Sequence, residues 1–176
     1  MKELPDTKQN TRLKAVLTLL ATQGLREIEV RRLDVKDIDQ VNLTAMVQGK
    51  GQDDREAIHL HPGTAEAIRK YLDTNNIKDG PLFTSQSNNS RDQRLSTRSI
   101  RSIVKKVLSE SGINRNVHGF RHYFVTRLIR QYKADLIQVK GYTRHKCLEM
   151  LVTYNDEILM KEDLPRFHQV FSEISF

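Results

Sequence analysis

A handful of residues in this chain have side chains suited to work on a phosphate ester. Tyr154 carries a phenol oxygen that can attack phosphorus, Arg26 and Arg121 carry guanidinium groups, Lys50 a mobile ammonium, and His118 and His145 imidazoles. Transesterification at a phosphodiester needs a nucleophile, positive charge at the non-bridging oxygens, a base, and an acid for the leaving 5′ oxygen. The set contains a candidate for each of these roles without calling on a metal. His118 and Arg121 stand three apart, the spacing of one helical face, and His145 precedes Tyr154 by nine positions.

Taken singly, each residue has an ordinary explanation. A lone phenol with a pKa of about 10 is inert without help. An arginine near a helix end and a lysine in a hairpin turn are what solvated surfaces contain. His118 and Arg121 could form a plain helix-surface pair, and His122 reads as a packing or capping residue. The order along the chain is what carries information: helix, arginine, hairpin lysine, a long gap, a His-x-x-Arg helix, a histidine, then a tyrosine.

The elements that must position these groups are mostly helical. Leu13, Val16, Leu17 and Leu20 recur at helical spacing over Thr11 to Gln23, and Gly24 supplies a stop. A second helix is expected near Arg26. Leu43 to Val47 and Ala57 to Leu60 read as strands of a β-hairpin around the polar segment Gly49 to Asp54, which places Lys50 at the tip. Thr64 is a candidate N-cap for a helix carrying Ala65, Ile68 and Leu72 on one stripe.

Ser85 to Arg94 reads as an exposed loop, and Ser96 caps an amphipathic helix with Ile100, Ile103, Val104, Val107 and Leu108 on its apolar side. The other side holds Arg98, Arg101, Lys105 and Ser102. Helical patterns continue over His118 to Gln131, over Leu136 to about Tyr154, and over Glu162 to Ser175. The last of these has Phe167, Val170, Phe171 and Ile174 on one face. The expected fold class is therefore mainly α with a small antiparallel β-sheet, in one domain spanning residues 1–176, with no internal repeat.

Lysine and arginine number 29 against 22 aspartates and glutamates, a formal charge of +7 with a pI near 9.6. That excess suits a polyanionic partner but does not single one out. The one cysteine, Cys147, cannot close an intramolecular disulfide, and no Cys/His cluster has zinc-ligand spacing, so neither a structural metal nor another cofactor is expected. Cys147 is expected to be a small buried residue. No apolar run approaches the roughly 18 residues of a membrane span, and the N-terminus lacks a signal-peptide pattern, so a cytoplasmic protein with no membrane partner is expected.

Gly24-Leu25-Arg26-Glu27-Ile28-Glu29-Val30 resembles the first arginine box of the tyrosine recombinases, also called the phage integrase family, with Gln23 where threonine is usual. His118-Gly119-Phe120-Arg121-His122 is similar to the family's His-x-x-Arg box, and Gly49-Lys50-Gly51 to its lysine turn. The third box normally reads Leu-Gly-His. Here Thr143-Arg144 stands before His145, but the nine-residue interval to Tyr154 is kept. The resemblance covers nearly the whole chain.

The resemblance implies the catalytic-domain fold of these DNA breaking-rejoining enzymes and a role for each residue. Tyr154 would form a 3′-phosphotyrosine, Arg26 and Arg121 would hold the non-bridging oxygens, His118 would assist proton transfer, Lys50 would protonate the leaving oxygen, and His145 would donate to a phosphate oxygen. It further implies site-specific DNA recombination or integration, as in mobile genetic elements, by four protomers around two double-stranded DNA molecules. Arg98, Arg101 and Lys105 are candidates for DNA phosphate contact, as against a merely solvated face.

Family members usually carry an N-terminal DNA-clamping domain of about 100 residues. Its absence here suggests a trimmed or minimal form, monomeric by itself. Two alternatives stay open: DNA relaxation of the type IB topoisomerase kind, and a DNA-binding homologue that has lost turnover, for which Gln23 and Thr143-Arg144 are the motive. The C-terminal apolar stripe is also open, packing either on its own domain or on a neighbouring protomer.

Overall fold

The computed structural model describes residues 5–49, 55–87 and 93–170. The chain divides between His122 and Tyr123 into two compact units. The first contains α1 (Lys8–Thr22), α2 (Glu27–Arg32), a short 3₁₀ turn (Val35–Asp37), strands β1 (Ile38–Asp39), β2 (Thr44–Gln48) and β3 (Arg55–His59), α3 (Pro62–Asn75) and α4 (Thr97–Glu110). Next comes α5 (His118–Gln131), which gives its first turn to the first unit and its remaining turns to the second. The second unit adds α6 (Leu136–Thr143) and α7 (Glu149–Val170). Mainly helical with one small antiparallel sheet, the architecture matches the expected class.

In the first unit, α1 and α3 pack through Val16, Leu19, Leu20, Ile68 and Tyr71, all essentially without solvent exposure. Complete burial of aliphatic chains of this size is worth roughly 1.5–3 kcal/mol each before entropy is counted. Ile100 and Val104 of α4 close the same core, and Tyr71 lies against Phe83 with ring centroids 5.2 Å apart. The sheet has the order β1-β2-β3, with Ala45 paired to Ile38 on one side and to Ile58 on the other. Ala45 and Val47 of β2 are buried while Met46 between them is exposed, the alternation of a half-covered strand.

Two helix boundaries differ from expectation for physical reasons. Thr64 does not cap α3: His61 is the N-cap, its Nδ1 accepting from Gly63 N–H at 3.1 Å, with Pro62 in the first turn. Thr64 is instead fully buried, and its hydroxyl bonds that of Thr22 at 2.6 Å, tying α3 to α1. The helix expected from Leu136 to Tyr154 is two helices. Arg144 takes φ of 56° and ends α6, and α7 then runs from Glu149 to Val170, joining the described part of the segment read as a separate C-terminal helix, with Pro165 inside it.

The second unit packs around Val125, Ile129, Val139, Leu151 and Ile158. Phe167 of the expected C-terminal stripe is 54% exposed. Phe171 and Ile174 lie outside the described residues, as do Lys50, the rest of the hairpin turn to Asp54, and the centre of the 85–94 loop. Among the described residues no helix is long and apolar enough to cross a membrane.

Candidate active site

Gly24 sets the geometry at the end of α1. Its φ of 59° lies in the left-handed region that a glycine enters without steric penalty, and it turns the chain so that Leu25 returns into the core and Arg26 begins α2 as its N-cap. Gln23, just before it, is buried. With its amide in the orientation that satisfies both atoms, it donates to the His59 carbonyl at 2.8 Å and accepts from His61 N–H at 2.7 Å. The side chain standing where the family usually has threonine thus ties the arginine turn to the end of β3.

Glu29 is the residue that sequence reasoning passed over. Its carboxylate is 1% exposed, accepts from the backbone N–H of Arg26 at 2.7 Å and takes the Arg26 guanidinium at 2.9 Å. One buried acid therefore both caps the first turn of α2 and aims Arg26. The signal was present as an acid three residues after the N-cap, the position from which a side chain reaches back to the cap N–H.

Arg121 is only 3% exposed, and its guanidinium donates to the Gly24 carbonyl at 2.7 Å. A guanidinium carries five N–H donors, so a bond to a carbonyl can anchor the group while it lines the cavity. His118, one turn earlier on α5, is exposed. Arg26, His118 and Arg121 line one cavity of about 400 Å³ together with Glu27, Thr97 and Arg101, and Leu25, Ile28 and Val117 form its apolar wall. Three guanidinium groups face one carboxylate there, a charge balance that favours an anion.

Arg101 is held by Glu27 through bonds of 2.9 and 3.3 Å. The Glu27 hydrogen bond, and then its charge, keep the Arg101 guanidinium above its ordinary pKa. Of the three basic residues singled out on α4, Arg101 thus lines the cavity in an ion pair, while Arg98 and Lys105 are exposed on the helix surface. Lys50 lies outside the described residues.

In the second unit His145 and Tyr154 meet, with ring centroids 6.1 Å apart and planes inclined by 48°. The left-handed Arg144 reverses the chain after α6, which turns His145 inward to 5% exposure. The fully buried Thr143 hydroxyl lies 2.8 Å from His145 Nδ1 in a hydrogen bond. Tyr154 is half-buried on α7. Cys147, expected to be buried, is exposed: it sits in the connection between α6 and α7, which the helix break creates. Among the described residues no group of three or more His, Cys, Asp or Glu side chains could hold a metal ion.

Comparison with known proteins adds findings of three kinds: a family profile, two relatives and a solved structure. The sequence profile described as the phage integrase family matches residues 1–158. Tyrosine recombinase slr0733 of Synechocystis sp. is 28% identical over 156 residues, covering 86% of this chain and 50% of that protein. Tyrosine recombinase XerC of Thermodesulfovibrio yellowstonii is 30% identical over 152 residues, covering 80% of this chain and 48% of its own length. The chain spans about half the length of these curated relatives. In fold it is similar to XerH site-specific recombinase in a post-cleavage complex with its difH substrate, with a TM-score of 0.75 at 23% identity over 93% of this chain and 47% of that one.

Proposed function

The chain belongs to the phage integrase family, and on that premise we propose that it is the catalytic part of a site-specific recombinase that cuts and rejoins double-stranded DNA through Tyr154. The observation that carries the proposal is the convergence of Arg26, His118 and Arg121 on one cavity, from two segments far apart in sequence. Two aimed guanidinium groups neutralise charge on the non-bridging oxygens as the pentacoordinate transition state forms. The Tyr154 oxygen attacks phosphorus, the bond to the 5′ oxygen breaks, and a 3′-phosphotyrosine results. His118 takes the phenol proton, Lys50 supplies one to the leaving 5′ oxygen, and His145 donates to a phosphate oxygen.

The phosphotyrosine conserves the energy of the broken ester bond in a new one, so rejoining needs no nucleotide cofactor. The full-length enzyme acts as four protomers around two duplexes, and this chain is monomeric without DNA. Arg98 and Lys105 add contacts to the phosphate backbone, as does Arg101 once released from Glu27, and binding weakens steeply as salt rises. The work is done in the compartment that holds the DNA, the cytoplasm. The recombinase names of the relatives favour strand exchange over relaxation.

The test is covalent capture on a pool of nicked duplexes randomised across the cleavage region. Wild type is expected to leave a detergent-resistant protein–DNA adduct, and Tyr154→Phe none. An adduct that persists in Tyr154→Phe, or no adduct from wild type under conditions where DNA is bound, overturns the proposal.

A further inference from the structure

We propose that Thr143 is a positioning residue that holds His145 Nδ1, so that the neutral ring keeps its proton on Nε2 and presents Nε2–H to a phosphate oxygen. The inference rests on the reading of His145 as a phosphate donor.

It starts from a departure in the sequence. Where the family's third box has leucine and glycine before the histidine, this chain has Thr143 and Arg144. Thr143 is the last residue of α6, and the left-handed Arg144 after it folds His145 back toward it. The hydroxyl and Nδ1 then lie 2.8 Å apart, with Thr143 fully buried and His145 5% exposed. Water has little access, so the bond is not readily exchanged for solvent.

A neutral imidazole has one nitrogen that donates and one that accepts, and the partner of one fixes the role of the other. A leucine could do nothing for Nδ1. A threonine O–H donating to Nδ1 completes the pair and leaves the proton on Nε2. The opposite arrangement, Nδ1–H donating to the hydroxyl, would turn a bare Nε2 lone pair toward phosphate oxygens, which repel it. Tyr154 packs against the same ring, with its centroid 6.1 Å away, so the contact that orients His145 also lies beside the nucleophile.

The experiment reads the tautomer directly. Nitrogen-15 magnetic resonance of the imidazoles in the full chain, with His145 assigned by its loss in His145→Gln, is recorded above the titration of His145. Wild type and Thr143→Ser are expected to show the proton on Nε2, and Thr143→Val a mixture of tautomers. In parallel, adduct formation on a saturating nicked-duplex pool is expected to slow about tenfold in Thr143→Val, the effect of one buried hydrogen bond, and to return to near the wild-type rate in Thr143→Ser.

A wild-type ring protonated on Nδ1 overturns the proposal, as does a folded Thr143→Val with an unchanged tautomer. If Thr143→Val does not fold, the wild-type spectrum decides. A tautomer that follows the Thr143 hydroxyl while wild type forms no adduct supports the positioning contact and overturns the strand-transfer reading instead.

Discussion

In the first unit, Arg121 is anchored on a carbonyl 97 residues earlier in the chain, and Arg26 on the buried carboxylate of Glu29. In the second, His145 is anchored on a hydroxyl two residues away, and its ring meets Tyr154 nine residues further on. Arg121 thus depends on the long-range packing of its unit, whereas Arg26 and His145 each depend on a partner within one turn of chain. Substitutions that loosen the first unit should dim the arginine cavity as a whole. Substitutions at the α6–α7 turn should act on His145 and the Tyr154 ring beside it.

The sharpest way to break this contrast is at Arg121. Arg121→Ala is expected to slow single-turnover adduct formation by roughly 10²–10³-fold, the size seen when one preorganised donor is removed from a developing oxyanion. Arg121→Lys should recover little of that, since an ammonium cannot hold the Gly24 carbonyl and a phosphate in one planar fork. Recovery to near wild type would mean that charge alone suffices and the long-range anchor is incidental.

Glu29→Gln comes next. Replacing the charge that caps α2 and aims Arg26 is expected to lower stability by about 1–3 kcal/mol, read as a shift of the urea midpoint. An unshifted midpoint would make Glu29 a bystander. Gly24→Ala should cost roughly 1–2 kcal/mol, because an alanine at that positive φ brings its Cβ against the backbone. Thermal melting checks it, and a gain in melting temperature would contradict the turn described.

The smallest effect belongs to the second unit. The Glu149 carboxylate is held below its ordinary value of 4.5 by its own backbone N–H and then by the Cys147 side chain. A depressed carboxylate binds fewer protons folded than unfolded, so its contribution is present above that value and is lost as pH falls through the lowered one. Melting followed by circular dichroism should therefore show wild type losing slightly more stability than Glu149→Gln below about pH 4.5. Parallel pH curves would refute this.

What could be read from the sequence divides along the same line. The amphipathic helices α1, α3 and α4 were legible because their apolar residues repeat at 3.6-residue spacing, and Val16, Leu20, Ile68, Ile100 and Val104 are buried while Leu13, Leu17, Ile103 and Val107 are partly so. The arginine and histidine boxes were legible because their residue types and spacing are unusual in combination. The break after α6 was not, since an arginine rather than a glycine takes the left-handed turn, and side-chain type gives little warning of that. Thr64 looked like a cap because threonines often are caps. Its hydroxyl is engaged by Thr22 instead, a partner visible only once α1 and α3 pack. The two-residue strand β1 is too short to leave a pattern.

The span between Gly24 and Arg121 also bears on the chain's own synthesis. At roughly 5–20 residues per second, the 97 residues separating the carbonyl from the guanidinium take about 5–20 s to make. Throughout that interval the nascent chain has Arg26 but not its companion, and Tyr154 is still to come. An unfinished polypeptide accordingly has Arg26 without the α5 residues that share its cavity. The cavity is complete only once the first turn of α5 has emerged and folded.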